Sequence, residues 1–166
     1  MQSSFDERAR NWDEDPRKLE RTRLTAEAIK RTVQLRPGMS AFEYGCGTGL
    51  LSFALRDAFA SITLADTSDG MLDVLKQKIE ASHSTHMHPV HLDLCSDPLP
   101  AERYDIVYSL VTLHHVPDTR TILGKFNALL KPGGILCIAD LDKEDGSSTG
   151  PASRSTTAST GMNWAG

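Results

Sequence analysis

Residues 41–50 read Ala-Phe-Glu-Tyr-Gly-Cys-Gly-Thr-Gly-Leu, an apolar run that is followed by glycine at every second position. The run is typical of a short buried strand, and the pattern continues after it as a helix. Glycine between a strand and a helix permits a tight turn with positive φ and lets a ligand approach the backbone closely. The first N–H groups of the helix have no partner within the helix, so they are free to meet an anionic group. Three alternating glycines exceed what a turn alone requires, so we predict a ligand site here.

Strand and helix patterns alternate along much of the chain. A helical pattern with apolar residues on one face follows Asp15-Pro16 and ends before Pro37-Gly38. Strand patterns come next, at residues 40–44, 61–65, 89–92, 104–110 and 135–141, and helical patterns follow the first, second and fourth of them. Such βαβ units give a parallel sheet with helices on both faces and right-handed crossovers. We therefore predict an α/β fold with a doubly wound, mostly parallel sheet.

Length, composition and charge exclude several classes of protein. The chain has 166 residues, of which 39% are hydrophobic, enough to bury the core of one domain. The 18 Lys and Arg against 22 Asp and Glu give a net charge of −4. A dedicated nucleic-acid-binding protein needs a basic surface to neutralise phosphates, so we expect no nucleic-acid partner. No run of about 20 apolar residues is present, so we expect no membrane partner either. The oligomeric state stays open.

The first residues and the cysteines indicate the compartment. Residues 1–15 are polar and charged, unlike a signal peptide. Cys46, Cys95 and Cys137 are odd in number and lie in or beside apolar segments, so we expect them to be reduced. These features together predict a cytoplasmic protein.

The spacing of the glycines narrows the choice of ligand. Dinucleotide-binding loops read G-x-G-x-x-G, whereas this loop reads G-x-G-x-G and has Leu50 in place of the third dinucleotide glycine. An NAD-binding oxidoreductase is therefore the less favoured alternative. Two acids stand near the loop: Glu43 precedes Gly45 by two positions, and Asp66 ends the second strand. A carboxylate at that strand end can accept hydrogen bonds from two vicinal ribose hydroxyls.

These residues resemble the first motif of the class I S-adenosylmethionine-dependent methyltransferases. The resemblance covers about residues 37–145 and is nearest to the small-molecule branch that includes quinone-biosynthesis methyltransferases. It implies a Rossmann-like fold with strand order 3-2-1-4-5, S-adenosylmethionine as cofactor, and methyl transfer to a small organic acceptor. The further landmarks, in the family's order, are Asp66-Thr67-Ser68, Met71-Leu72, Asp93-Leu94, Tyr104-Asp105-Ile106-Val107, Leu113-His114-His115-Val116 and Leu129-Leu130-Lys131-Pro132-Gly133-Gly134.

The resemblance implies which residues bind the methionine and ribose parts of the cofactor. Gly45, Gly47 and Gly49 would let it approach the backbone. Glu43 would face the methionine ammonium, and Asp66 would bind the ribose hydroxyls. A purely structural role stays open for each acid: Glu43 as a partner of the helix N-terminus, and Asp66 as an exposed residue at a strand end.

A second set of residues is implied at the adenine end. Thr67 and Met71 would flank the adenine, Asp93 would accept a hydrogen bond from its amino group, and the Leu94 backbone would read the ring edge. Ser109 lies where the fourth strand opens onto the cleft beside the glycine loop. Met71 as plain helix core and Asp93 as a solvated loop residue are the alternatives.

The histidines are the candidates for catalysis. Methyl transfer from a sulfonium is an in-line displacement that mainly requires positioning of donor and acceptor. A general base is needed only where the acceptor must lose a proton early. His114 and His115 follow the fourth strand, and an imidazole titrates near neutral pH, so either could serve. A structural role for this pair remains the alternative.

Four more histidines lie close together in the sequence. They precede or begin the third predicted strand and lack a second ligand set with the spacing of a structural zinc site. We therefore predict no metal site. They are His83, His86, His88 and His91.

Three regions are predicted along the chain. Residues 1–36 form an N-terminal helical segment that either closes over the cofactor as a lid or only packs against it. Residues 37–143 form the S-adenosylmethionine-binding domain, and residues 144–166 form a disordered tail rich in Ser and Thr. Family members usually add a helix and an antiparallel pair of strands that help to form the acceptor pocket, and we expect those strands to be missing. A catalytically impaired cofactor-binding fragment is therefore the alternative to an active methyltransferase.

Overall fold

A five-stranded sheet forms the centre of the structure, a computed structural model that describes residues 2–141 of the chain. The strands are β1 (Ser40–Tyr44), β2 (Ser61–Asp66), β3 (Met87–His91), β4 (Tyr104–Leu110) and β5 (Leu130–Ala139). Their spatial order is β3-β2-β1-β4-β5, and every neighbouring pair is parallel. The predicted α/β class and the strand order 3-2-1-4-5 are confirmed. The predicted tail at 144–166 and its boundary at 143 lie outside the described residues.

Helices cover both faces of the sheet. Ala41 and Phe42, adjacent in β1, belong to two different apolar clusters, because successive side chains of a strand point to opposite faces. Leu51 and Leu72 extend the first cluster, and Phe126 extends the second. The helices are α1 (Gln2–Arg8), α2 (Pro16–Thr32), α3 (Leu50–Leu55) and α4 (Asp69–Ala81), with α5 (Thr119–Leu129) on the second face. Among residues 2–141, no helix has both the length and the apolarity to cross a membrane.

Three element boundaries differ from the sequence prediction. Helix α3 ends at Leu55 and is followed by a 3₁₀ turn (Arg56–Ala58). The sequence had predicted a single helix that reaches residue 59. Strand β3 begins at Met87, before Pro89, which is tolerated because β3 lies at the edge of the sheet.

Strand β5 also starts earlier than predicted. It pairs with β4 from Leu130, whereas the apolar pattern suggested a start at Ile135. Between Tyr104 and Ile106 the register jumps, because the Pro132-Gly133-Gly134 run bulges out of the ladder. Gly133 has φ +77°, a conformation that glycine adopts without strain. The bulge lets the chain leave α5 and enter the sheet without a separate loop.

Candidate functional site

A cavity of about 900 Å³ lies at the carboxyl ends of β1, β2 and β4. Small-molecule sites usually have volumes of about 300–1,000 Å³. In open α/β sheets, ligands bind outside the carboxyl ends of the strands where the strand order reverses, and here it reverses between β1 and β4. The cavity wall includes residues 45–47 of the glycine loop (residues 45–49), the residues after β2 and β4, and part of the N-terminal helical segment.

The three glycines of this loop have different surroundings. A side chain at Gly45 would overlap the side chain of Thr112, and a Cβ at Gly49 would lie 2.6 Å from Leu75 Cδ1. Both positions therefore allow close packing of the loop against its neighbours. A Cβ at Gly47 would meet only Trp12 Nε1 at 3.8 Å and Met71 Sδ at 3.9 Å. Gly45 and Gly47 belong to the cavity wall, whereas Gly49 begins α3 behind it.

The Asp66 carboxylate lies at the end of β2, against the glycine loop. Its Oδ2 accepts a hydrogen bond from the Gly47 N–H at 2.7 Å, and its Oδ1 accepts one from the Ser68 N–H at 2.9 Å. An ionised carboxylate has about four acceptor sites, so about two remain for a ligand in the cavity that Asp66 lines. The structure thus brings together the loop and the acid that the sequence singled out.

Glu43 is a buried acid beneath the same loop. Its side chain accepts a hydrogen bond from the Ser52 hydroxyl, which also lies 2.6 Å from the Tyr108 hydroxyl. Burial raises the pKa of Glu43 to about 8, with a smaller contribution from the Asp66 charge, and the Ser52 hydrogen bond opposes the shift. Glu43 is therefore mostly protonated at neutral pH. A cation placed beside it in the cavity would favour the ionised form.

The residues predicted at the adenine end divide into two groups. Thr67, Met71 and Asp93 line the cavity. Met71 is also buried in the first turn of α4, so it contributes to both the core and the wall. The Asp93 carboxylate accepts hydrogen bonds from the Cys95 N–H at 2.8 Å and from the Ser96 hydroxyl at 3.0 Å, so it orders the turn after β3.

Leu94 and Ser109 belong to the second group, because neither is part of the cavity wall formed by the described residues. Leu94 is fully buried, and its carbonyl accepts a hydrogen bond from the Lys125 ammonium. The Ser109 hydroxyl donates to the Tyr44 carbonyl at 2.9 Å and so joins β4 to β1.

The two candidate histidines lie in a 3₁₀ turn (Leu113–His115) and line the cavity. His114 Nδ1 lies 2.8 Å from Asp140 Oδ1. The sequence reasoning missed Asp140, although an acid next to the end of the fifth strand is similar in position to Asp66 at the end of the second. Two of the other histidines make separate contacts. His86 is hydrogen-bonded to the Arg56 carbonyl, and His91 is hydrogen-bonded to the Thr67 carbonyl. Among the residues that the structure describes, no three metal-ligating side chains form a cluster.

The N-terminal helical segment supplies part of the cavity wall. Its aromatic side chains, Phe5 and Trp12, have ring centroids 5.9 Å apart, and the Phe5 ring lies edge-on to His115 at 5.5 Å. The Lys18 ammonium lies 3.3 Å from the centre of the Trp12 ring. The sequence predicted only that residues 1–36 form a lid or pack against the cofactor, because nothing local marks Phe5 or Lys18 as a cavity residue.

An aspartate fixes this segment to the helix that follows β2. Asp6 accepts hydrogen bonds from the Ser68 hydroxyl at 2.5 Å and from the Gly70 N–H at 2.9 Å. These bonds hold the pKa of Asp6 below its ordinary value. The segment is therefore attached where the first turn of α4 meets the cavity.

Comparison with known proteins agrees with this arrangement. Residues 42–138, more than half of the chain, match the family model described as a methyltransferase domain. The chain belongs to this methyltransferase family. The match runs from β1 through β5 and so includes the glycine loop, Asp66 and the histidine turn of the methyltransferase.

Two curated relatives and one solved structure show how far the similarity extends. The ubiquinone biosynthesis O-methyltransferase of Coxiella burnetii is 29% identical over 145 residues, which cover 85% of this chain and 61% of that protein. The demethylmenaquinone methyltransferase of Staphylococcus aureus is 32% identical over 124 residues, or 72% of this chain and 51% of that protein. The chain thus spans about half to three fifths of the length of these relatives. A SAM-dependent methyltransferase from Aquifex aeolicus shares the fold, with a TM-score of 0.65, 21% identity, and coverage of 82% of this chain and 78% of that one.

Proposed function

We propose that this chain binds S-adenosylmethionine in the cavity and takes part in transfer of its methyl group to a small organic acceptor. The observation that carries the proposal is the position of Asp66. Its carboxylate is fixed by Gly47 and Ser68 at the cavity wall and keeps acceptor sites for a pair of vicinal hydroxyls. Family membership supports the same ligand.

The other chemical parts of the cofactor have suitable neighbours in the cavity. Glu43 would meet the methionine ammonium, Met71 and Thr67 would contact the adenine, and Asp93 would lie near its amino group. Methionine suits an aromatic ring because its side chain is flexible and polarisable. We keep Gly45, Gly47, Gly49, Leu94 and Ser109 as proposed parts of the site, with Gly49, Leu94 and Ser109 acting through the packing behind it.

The charge distribution supports a ligand with both positive and negative groups. Glu43, Asp66 and Asp93 line the cavity together with Arg8 and Arg21 of the N-terminal helical segment. The acids suit an ammonium and hydroxyl groups, and the arginines suit a carboxylate, which a guanidinium binds through paired hydrogen bonds.

The proposed reaction needs little chemistry from the protein. The bound cofactor supplies a methyl group that is already activated on a sulfonium. The chain's residues hold donor and acceptor in line, and residues 1–36 act as the proposed lid that excludes water. Phe5 and Trp12 supply apolar surface for this purpose. The names of the two relatives refer to ubiquinone and demethylmenaquinone, so we extend the proposal to a quinone-like acceptor.

Calorimetry with three ligands tests the proposal. The full chain is titrated with S-adenosylmethionine, S-adenosylhomocysteine and NAD, and we expect the first two to bind and NAD not to bind. Incubation with S-adenosylmethionine carrying a labelled methyl group and a panel of catechols and hydroquinones then tests transfer. Binding of NAD without binding of either sulfur compound would overturn the proposal. Binding of both sulfur compounds without transfer to any acceptor would support the impaired-fragment alternative.

A further inference from the structure

We propose that Asp140 is a positioning residue that fixes the proton of His114 on Nδ1, so that His114 Nε2 acts as the base toward an acceptor hydroxyl. This inference rests on the proposed function and narrows it in two ways. It selects one histidine of the pair, and it selects oxygen as the acceptor atom.

The contact between the two side chains is direct. His114 Nδ1 and Asp140 Oδ1 are 2.8 Å apart, and the two side chains are 32% and 18% exposed. His114 belongs to the cavity wall, whereas Asp140 follows β5 and stands behind it. Nδ1 of His114 is thus hydrogen-bonded to Asp140, and Nε2 is the other polar atom of the ring.

The ionisation of Asp140 decides which nitrogen carries the proton. Burial raises the pKa of Asp140, but hydrogen bonds from the Leu141 N–H, from His114 and from the Leu113 N–H outweigh it and place the pKa below its ordinary value. An ionised carboxylate can only accept hydrogen bonds. His114 Nδ1 must therefore be the donor, and in the neutral ring Nε2 keeps its lone pair.

The same carboxylate shapes the turn on which His114 lies. Asp140 Oδ2 accepts hydrogen bonds from the Thr112 N–H at 3.1 Å and the Leu113 N–H at 2.7 Å. Val111 lies just before this turn, and its φ of +52° is a rare conformation for a β-branched residue. Strained backbone persists only where the surroundings enforce it, and it clusters at functional sites. One residue thus holds both the backbone and the ring of the candidate base.

In the described part of the chain, the titratable groups Asp140 and His115 contact His114. The His114 and His115 ring centroids are 3.8 Å apart. Burial lowers the pKa of His115, and the charge of His114 lowers it further, while Asp140 opposes the shift. The lowered pKa favours the neutral form of His115, and its ring packs edge-on against Phe5.

A base in this position matters for a hydroxyl acceptor. The O–H bond breaks as the proton passes to His114 Nε2, and the oxygen lone pair forms the new C–O bond to the methyl carbon. The C–S bond of the donor breaks with its electron pair on sulfur, which leaves a neutral thioether. The imidazolium of His114, stabilised by the Asp140 charge, then returns its proton to water. An uncharged amine attacks through its free lone pair and needs no base before the methyl group moves.

Nitrogen NMR of the histidine rings tests the proton position without turnover. Long-range ¹H–¹⁵N spectra of the full chain, assigned with His114→Gln, should show the neutral His114 ring protonated at Nδ1 and unprotonated at Nε2. Asp140→Asn should reverse this, because the Asn oxygen can keep the Thr112 and Leu113 N–H groups while its NH₂ faces His114 Nδ1 and gives up the hydrogen bond from the Leu141 N–H. Asp69→Asn is the matched control, because it makes the same change in an acid that also lies near a histidine. Asp69 is 80% exposed and lies 3.9 Å from His91 Nε2.

Kinetics of the same variants test the role in transfer. Asp140→Asn should lower kcat toward a catechol by about 10²–10⁴-fold, the usual contribution of a general base, and leave the affinity for S-adenosylhomocysteine unchanged. A nitrocatechol, already ionised at pH 8, should restore most of the loss, which a merely structural role of Asp140 would not allow. Asp69→Asn should behave as wild type.

The outcomes separate the two proposals. If the wild-type chain binds no S-adenosylhomocysteine, the proposed function fails. If it binds and His114 carries its proton on Nε2, only the present inference fails. An equal loss of kcat toward the catechol and the nitrocatechol would also overturn it. If Asp140→Asn does not fold, the wild-type spectrum still decides.

Discussion

Asp13 and Lys78 form an ion pair of 2.6 Å that joins the N-terminal helical segment to α4. The other Asp13 oxygen accepts a hydrogen bond from the Thr48 hydroxyl at 2.5 Å, and the Lys78 ammonium also donates to the Thr48 carbonyl at 2.9 Å. The pair therefore fastens the proposed lid directly to the glycine loop. The Lys78 and Asp13 side chains are 27% and 33% exposed, so water screens the pair only in part.

Lys78→Met should loosen the proposed lid and weaken cofactor binding. A partly exposed ion pair contributes up to about 1 kcal/mol, so we expect the Kd for S-adenosylhomocysteine to rise by about 2–5-fold. Calorimetry measures the change, and limited proteolysis should show faster cleavage within residues 2–14. Lys76→Met is the matched control, because Lys76 pairs with Asp73 at 3.4 Å on the exposed surface of the same helix. Equal effects of the two substitutions would contradict the role of the Asp13 contact.

The topology and the first half of the site could be predicted from the sequence because their signals are local. The alternation of apolar runs and helical patterns predicts the parallel sheet, and the glycines at every second position indicate the loop. Asp66 is recognisable since it follows an apolar run at the end of β2. Such features depend on a few neighbouring residues, so they can be read without knowing what packs against them.

The rest of the site depends on contacts between distant parts of the chain. Asp6 meets Ser68 across 62 positions, and Asp13 meets Lys78 across 65. Asp140 meets His114 across 26 positions, and its place is set by the register of β5 against β4. No local pattern distinguishes Asp6 and Asp13 from the other acids of the chain, and the only local signal at Asp140 is its position at the end of a strand. The bulge at Pro132-Gly133-Gly134 was missed for a related reason, because proline and glycine normally mark the end of an element.

Asp66→Ala should weaken cofactor binding more than any lid substitution. Losing a charged acceptor that contacts two hydroxyls costs about 1–3 kcal/mol, which corresponds to a rise in the Kd of about 5–150-fold. Calorimetry with S-adenosylhomocysteine measures it, with Asp57→Ala as the control because the Asp57 side chain is 95% exposed. A Kd that is the same in both variants would rule out the ribose role of Asp66.

Glu43 should make the stability of the protein depend on pH. Its pKa is about 8 in the folded chain and near the ordinary value of 4.5 in the unfolded chain. Between these values the folded state binds up to one more proton than the unfolded state, so the free energy of unfolding falls as pH rises, by up to about 1.4 kcal/mol per pH unit. Urea unfolding at pH 6, 7 and 8 measures this slope. In Glu43→Gln, which keeps an acceptor for Ser52, the Glu43 contribution to the slope should disappear.

The same acid should couple cofactor binding to proton release. An ammonium beside Glu43 favours its carboxylate form, so binding of S-adenosylhomocysteine at pH 7 should release a proton. Calorimetry in buffers of different ionisation enthalpy counts the protons released. We expect close to one proton for the wild type and fewer for Glu43→Gln. Equal release by both proteins would show that the ammonium does not lie next to Glu43.

Two glycine substitutions should change stability in opposite directions. Gly45 has φ +70°, and an added methyl group would overlap the side chain of Thr112, so Gly45→Ala combines backbone strain with a clash against the turn that carries His114. We expect a loss of about 2 kcal/mol or more in the free energy of unfolding. Gly124 lies inside α5 with no atom within 4 Å of an added Cβ, so Gly124→Ala should stabilise by about 0.4–1 kcal/mol. Urea unfolding of both variants checks the two signs, and a Gly45→Ala variant as stable as wild type would show that the loop does not pack against Thr112.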